Sequence, residues 1–136
     1  EQLKKLNFFI KKRTENFKML SNKLSKIKNI DIIATKSENK SISSYYCLSI
    51  LLTGPLKKKR TKIIQYLNKK GIGTSIYYPK ILTELKYYKK KLKINKKNFF
   101  NANNISENSI CLPIGPHVTK KNINFMEKII KEINKI

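Results

Sequence analysis

The sequence contains few of the side chains from which catalytic centres are usually built. Among its 136 residues there are eight carboxylates, two cysteines and one histidine, His117. No cysteine and histidine spacing suits zinc, and no glycine-rich dinucleotide motif or P-loop lysine occurs. His117 lies in a proline-flanked turn, where a structural role is the more common one. We therefore expect no catalytic, cofactor-binding or metal-ligating residue in this chain.

Cysteine and long apolar runs are equally scarce. Cys47 and Cys111 each lie among aliphatic residues, which favours free buried thiols over a disulfide. Free thiols are typical of a reducing compartment, so we expect a cytoplasmic location. No apolar run approaches the roughly 18 residues that a membrane span needs, and we expect no membrane partner.

Arginine and negative charge are scarce as well, although the net charge is +23. Only Arg13 and Arg60 are arginine among 31 basic residues. Lysine, asparagine and isoleucine are over-used together, a pattern typical of codon bias in an AT-rich genome, and the lysines are spread along the whole chain. A nucleic-acid groove usually mixes arginine with lysine on one face. A free-standing lysine-rich domain that binds nucleic acid is therefore an alternative, not the function that we favour.

The N-terminal 28 residues show the spacing of one long helix. Apolar positions recur every three or four residues, which predicts a narrow seam along a helix of about 26 residues. The seam consists of Leu3, Leu6, Ile10, Arg13, Phe17, Leu20, Leu24 and Ile27. Arg13 stands where periodicity would place an apolar residue, so we expect it to reach solvent or pair with a carboxylate rather than bind a ligand. Because Glu1 already lies in this pattern, we expect residues 1–28 to link to a preceding part of a longer protein.

Residues 29–136 are expected to form one small domain of alternating strands and helices. The patterns predict strands at 45–52, 72–78 and 109–113, and they predict a polar loop over residues 29–44 with room for one edge strand at the apolar patch of Ile30, Ile32 and Ile33. They predict a helix capped by Thr61, short helices near residues 82–92 and 99–106, and a last helix capped by Thr119. This order indicates an α/β fold in which a small sheet is covered by helices.

The stretch from Gly71 to Pro79 is the most probable place for a ligand on sequence grounds. Gly71 is predicted to adopt a left-handed conformation after a helix, where the missing Cβ removes the steric cost. Tyr77 and Tyr78 then end the predicted strand. Neighbouring strand residues point to opposite faces, so we expect one ring to pack inward and the other to face a cleft.

Five segments, in order along nearly the whole chain, resemble one enzyme family. Residues 71–79 resemble a "GIGT…HYP" segment, and residues 110–119 resemble "LSLPIGPHLT". Lys12-Arg13, with Asn16 and Leu20, is similar to a "KR…NA…L" helix; Tyr45-Tyr46 and Arg60 match two further positions. The family is that of the DegT/DnrJ/StrS pyridoxal-phosphate-dependent nucleotide-sugar aminotransferases.

The resemblance implies that the chain is the small C-terminal domain of such an enzyme, an α+β domain with a mainly antiparallel sheet of about three strands. The Schiff-base lysine and the other residues that bind pyridoxal 5'-phosphate would then belong to a large N-terminal domain, absent from this chain, and the chain alone would be inactive. Tyr77 and Tyr78 would bind the nucleotide-sugar substrate. Three positions depart from the family pattern: Tyr77 replaces histidine, Thr61 replaces aspartate and Asn103 replaces glutamate.

The implied activity is amino transfer, usually from glutamate, to a keto group on a nucleotide-linked sugar, in cell-surface or secondary-metabolite biosynthesis. A homodimer is also implied. Some members of the family are sugar dehydratases that use the same cofactor, and this sequence leaves that alternative open.

Overall fold

The sheet has three antiparallel strands. A computed structural model of the protein describes residues 1–33, 41–91 and 96–136. The strands are β1 (Ile30–Ile33), β2 (Leu48–Leu52) and β3 (Ser109–Leu112), with β2 in the centre. Ile50 pairs with Ile32 on one side and with Ile110 on the other. The expected small antiparallel sheet covered by helices is confirmed.

Five α-helices accompany the sheet. They are α1 (Leu6–Leu24), α2 (Arg60–Lys69), α3 (Lys86–Lys91), α4 (Phe100–Asn108) and α5 (Lys120–Glu132). Short 3-10 turns add Gln2–Lys5, Gly54–Leu56, Leu82–Glu84, Lys96–Phe99 and Ile133–Lys135. No helix in the described part of the chain is long and apolar enough to cross a membrane.

The long N-terminal helix is buried along only half of its seam. Leu20 and Leu24 are fully buried and Ile27 is nearly so, although α1 ends at Leu24. Leu3 is 82% exposed and Leu6 is 44% exposed. The first residues form a 3-10 turn, so the α-helix is shorter at both ends than the spacing predicted. The apolar face of its first half contacts no core within this domain.

The last helix is confirmed as the sequence predicted it. The Thr119 side chain accepts a hydrogen bond from the Asn122 backbone N–H, and the Asn122 side chain accepts one from the Thr119 N–H. This reciprocal capping box satisfies two N–H groups that would otherwise lack partners. The predicted inward face of Ile123, Met126, Ile130 and Ile133 is buried in the core.

Three local predictions are wrong. The helix α2 begins at Arg60 after Lys59, so Thr61 lies inside the first turn and forms no cap. The strand predicted at 45–52 begins only at Leu48, because Tyr45 adopts a left-handed φ of 43° and turns the chain. Of the helix predicted near residues 82–92, only a 3-10 turn and α3 form, and Leu92 lies outside the described residues.

The strand predicted at residues 72–78 is also wrong. Only Ser75 pairs, through two hydrogen bonds with Cys111 at 2.9 and 3.1 Å. Gly71 does adopt the predicted left-handed φ, at 81°. The N–H of Ile72 is taken by the Leu67 carbonyl at the end of α2, which leaves it unavailable to the sheet. Pro79 has no N–H to pair.

Candidate functional site

The helix α1 is fastened to the turn after β3 by one buried amide. The Asn16 Nδ2 group donates to the backbone carbonyls of Ile114, Gly115 and Val118 at 3.3, 3.0 and 3.1 Å. Asn16 is 7% exposed. Three acceptors about 100 residues away in the sequence therefore set the distance between α1 and this turn.

A cleft of about 480 Å³ opens between α1, β3 and the segment after α2. Arg13 lines it from α1, and Tyr46 lines it from the residues before β2. Thr74, Ser75 and Tyr77 contribute from the predicted ligand segment. The structure thus brings one of the two predicted site residues, Tyr77, into a concave surface.

Three tyrosines contact one another at one side of this cleft: Tyr46 and Tyr77 line it, and Tyr78 lies beside Tyr77. The rings of Tyr46 and Tyr77 meet edge to face with centroids 5.7 Å apart, and those of Tyr77 and Tyr78 lie 6.0 Å apart. Their exposed fractions are 64%, 45% and 69% for Tyr46, Tyr77 and Tyr78. The expectation that one of the adjacent tyrosines packs inward is therefore wrong. Both rings stay available because the segment that carries them is not a strand.

The backbone of Tyr78 is held from below by α4. The Ser106 hydroxyl donates to the Tyr78 carbonyl at 2.9 Å, and the Arg60 guanidinium donates to the Ser106 carbonyl. Ser106 is 4% exposed. A charged donor therefore anchors the residue that positions the tyrosine segment. Sequence reasoning placed Ser106 on a helix face but gave no signal of this role.

Arg13 has no carboxylate partner in the described part of the chain. Its guanidinium carbon lies 5.8 Å from the centroid of the Tyr46 ring, within the range of a cation–π contact. Its Nε atom is buried and has no hydrogen-bond partner among the described residues. The expected ion pair is therefore wrong, and the expected escape to solvent does not hold for Nε.

His117 and the two cysteines are the remaining candidates, and His117 also lines the cleft. His117 is exposed and packs beside Gly115, where an added Cβ would lie 2.6 Å from its Cε1 atom. Cys47 and Cys111 are free, as expected, and Cys111 is buried. Burial raises the pKa of the Cys47 thiol, which makes it a poorer nucleophile near neutral pH.

The cleft lacks the residues that would bind pyridoxal 5'-phosphate by itself. Such a site needs a lysine for the aldehyde, together with an acid or arginine facing the ring nitrogen. Among the described residues, Arg13 lines this cleft but no lysine and no carboxylate does, and none of them forms a cluster suited to a metal ion. The described lining of this cleft therefore does not fit the cofactor.

Comparisons with known proteins agree on family and fold. A model of the DegT/DnrJ/EryC1/StrS aminotransferase family matches residues 1–133. The chain is 31% identical to the uncharacterized protein MJ1066 of Methanocaldococcus jannaschii over 137 residues, covering 96% of this chain and 34% of that protein.

Solved structures extend the comparison. Spr1654 of Streptococcus pneumoniae is 25% identical with a TM-score of 0.82, covering 98% of this chain and 33% of that one. Helicobacter pylori PseC, an aminotransferase involved in the biosynthesis of pseudoaminic acid, is 19% identical with a TM-score of 0.80, over 99% of this chain and 35% of that one. The chain thus spans about a third of the length of the relatives that it matches.

Proposed function

Since the chain belongs to the DegT/DnrJ/EryC1/StrS aminotransferase family, we propose that it is the small C-terminal domain of a pyridoxal-phosphate-dependent aminotransferase. The proposed reaction moves an amino group from glutamate to a keto group on a nucleotide-linked sugar. Because the matched relatives are about three times as long, the cofactor would be bound by a larger domain. This chain would close one side of the substrate cleft.

The exposed Tyr77 carries this proposal. It stands where the family pattern has histidine, and its ring lines the cleft and contacts the rings of Tyr46 and Tyr78. An aromatic ring stacks on bases and packs against sugar rings, and the phenol can donate a hydrogen bond. Unlike histidine, tyrosine does not titrate near neutral pH. Tyr77 and Tyr78 are therefore the proposed substrate-contacting residues, and proton transfer is assigned to neither.

The test is an assay of the complete open reading frame that encodes this chain. We expect glutamate-dependent amination of at least one member of a panel of keto-sugar nucleotides, measured by 2-oxoglutarate release and product mass. Loss of water from the sugar without consumption of glutamate would instead indicate a dehydratase. Absence of both reactions, in a protein that is folded and loaded with cofactor, would refute the proposal.

A homodimer and a cytoplasmic location are part of the same proposal. Exposed apolar side chains in the first turn and at the start of α1, those of Leu3, Leu6 and Phe8, support contact with another part of the enzyme. Size-exclusion chromatography with light scattering on the full-length protein tests the dimer. A monomer at micromolar concentration would contradict it.

A further inference from the structure

Among the residues that the structure describes, Arg13 is the one arginine, lysine or carboxylate side chain that lines the cleft. It lies three residues before Asn16, so the two share a face of α1. Because Asn16 is fixed to the carbonyls of Ile114, Gly115 and Val118, the turn of helix that carries Arg13 is fixed beside the same wall. The backbone from which the Arg13 side chain projects is therefore held in place by buried hydrogen bonds.

The surroundings of Arg13 leave its positive charge uncompensated. In the described part of the chain no carboxylate lines the cleft, and the Nε–H is buried there without an acceptor. A buried donor that lacks an acceptor is costly, and more so when it is charged. The other polar groups on the walls include the hydroxyls of Thr74, Ser75 and Tyr77. Together they offer a cation with neighbouring hydroxyls and no competing anion.

We propose that Arg13 binds an oxyanion of the substrate in this cleft. The planar guanidinium can present two parallel N–H groups to a carboxylate or a phosphate, and Nε–H is one of the donors in its fork. If the proposed function holds, on which this inference rests, the oxyanion comes from one of two sources. It is the diphosphate of the nucleotide sugar or a carboxylate of the amino donor.

Tyr46 connects Arg13 to the proposed substrate contact. Tyr46 lies against the guanidinium at 5.8 Å and against the Tyr77 ring at 5.7 Å. A ligand whose ring contacts Tyr77 therefore has the cation within reach across a single tyrosine. The cation–π contact with Tyr46 also holds the guanidinium in place before the ligand arrives.

The test is equilibrium binding to the full-length protein by titration calorimetry, with no reaction taking place. The probes are uridine diphosphate for the phosphate source and glutarate for the carboxylate source. Arg13→Met retains the aliphatic stem without the charge, and Arg13→Lys retains the charge without the fork. Lys18→Met is the matched control, because it removes the same charge from the exposed side of α1.

We expect Arg13→Met to lower the affinity for one of the two probes by about 10- to 100-fold, which is the effect of losing a charged hydrogen bond. Arg13→Lys should fall between Arg13→Met and the wild type, and Lys18→Met should stay within about twofold. Weaker uridine diphosphate binding assigns the phosphate source, and weaker glutarate binding assigns the carboxylate. Shallower salt dependence of the affected probe would accompany either result.

Two results would overturn the inference. One is a wild type that binds neither probe. The other is unchanged affinity for both probes in folded Arg13→Met, or in Arg13→Lys if the methionine variant does not fold. Failure of the proposed function is distinguishable, because it is a lack of amino transfer by the wild type, whatever the binding results of the variants.

Discussion

Replacing Asn16 by alanine should destabilise the protein by about 2 to 4 kcal/mol. The amide has two N–H bonds shared among three carbonyls, at 3.0, 3.1 and 3.3 Å. Each net hydrogen bond contributes about 0.5 to 1.5 kcal/mol, and the loss of a donor to the buried Ile114 and Val118 carbonyls adds a desolvation cost, whereas the Gly115 carbonyl keeps the Val118 N–H. Ile114 is 1% exposed and Val118 is 9% exposed, so water does not readily replace the lost donor.

Asn16→Asp should lower the free energy of unfolding more than Asn16→Ala does at pH 7. The aspartate would direct a carboxylate, which is only an acceptor, at three carbonyl oxygens. The free energy of unfolding of both variants is measured by urea denaturation, monitored by far-ultraviolet circular dichroism. The variants can be compared only if their m-values equal that of the wild type. Asn22→Ala on the exposed side of the same helix is the control, expected within about 0.5 kcal/mol of wild type. An Asn16→Ala cost below about 1 kcal/mol, or an aspartate no worse than alanine, would refute the reasoning.

Three further predictions concern other parts of the molecule. Tyr77→Ala should raise KM for the nucleotide sugar about tenfold and leave KM for glutamate nearly unchanged, because the stacking ring is lost. Tyr77→Phe should stay close to wild type. If Tyr77→Ala and wild type have the same KM for the nucleotide sugar in steady-state assays, Tyr77 does not contact the substrate. Gly54→Ala should lower the free energy of unfolding in urea by about 1 to 2 kcal/mol, because φ at this residue is +52°. Gly73→Ala should leave it nearly unchanged, because nothing lies within 4 Å of the added Cβ. Similar losses for the two variants would contradict the strain argument. The hydrogen bond from Lys131 lowers the pKa of Glu127 below its ordinary 4.5. The stabilisation from Glu127 is therefore present above that pH and lost as pH falls through the lowered pKa, so the deficit of Glu127→Gln in urea should shrink from pH 7 to pH 3. A loss of stability in Glu127→Gln that is the same at pH 7 and pH 3 would contradict this prediction.

The elements that the sequence predicted well are those whose signals are local. Thr119 and the inward residues of α5 follow from a cap and a 3.6-residue period, which depend on neighbours within one turn. The strand β3 ends before Pro113, and Gly71 takes a left-handed φ, for equally local reasons. The family likeness rested on such segments in order, and it is confirmed over residues 1–133.

The predictions that the structure contradicts concern residues whose partners lie far away in the chain. Residues 72–78 have a strand-like composition, but only Ser75 finds a sheet partner, and at the two ends of the segment the Ile72 N–H bonds to α2 and the Tyr78 carbonyl accepts from Ser106. The sequence predicted that Arg13 reaches solvent or pairs with a carboxylate. No local pattern could show that the described part of the fold places no carboxylate beside it.

The sequence by itself therefore determined the Thr119 cap and the buried face of the last helix, the left-handed Gly71, the free thiols and the family. It also drew attention to Tyr77. Only the tertiary structure decided that Arg13, Tyr46 and Tyr77 share one cleft, because hydrogen bonds between α1 and the turn after β3 bring them together from distant parts of the chain. Periodicity describes which face of an element is apolar, whereas a binding site depends on which faces meet.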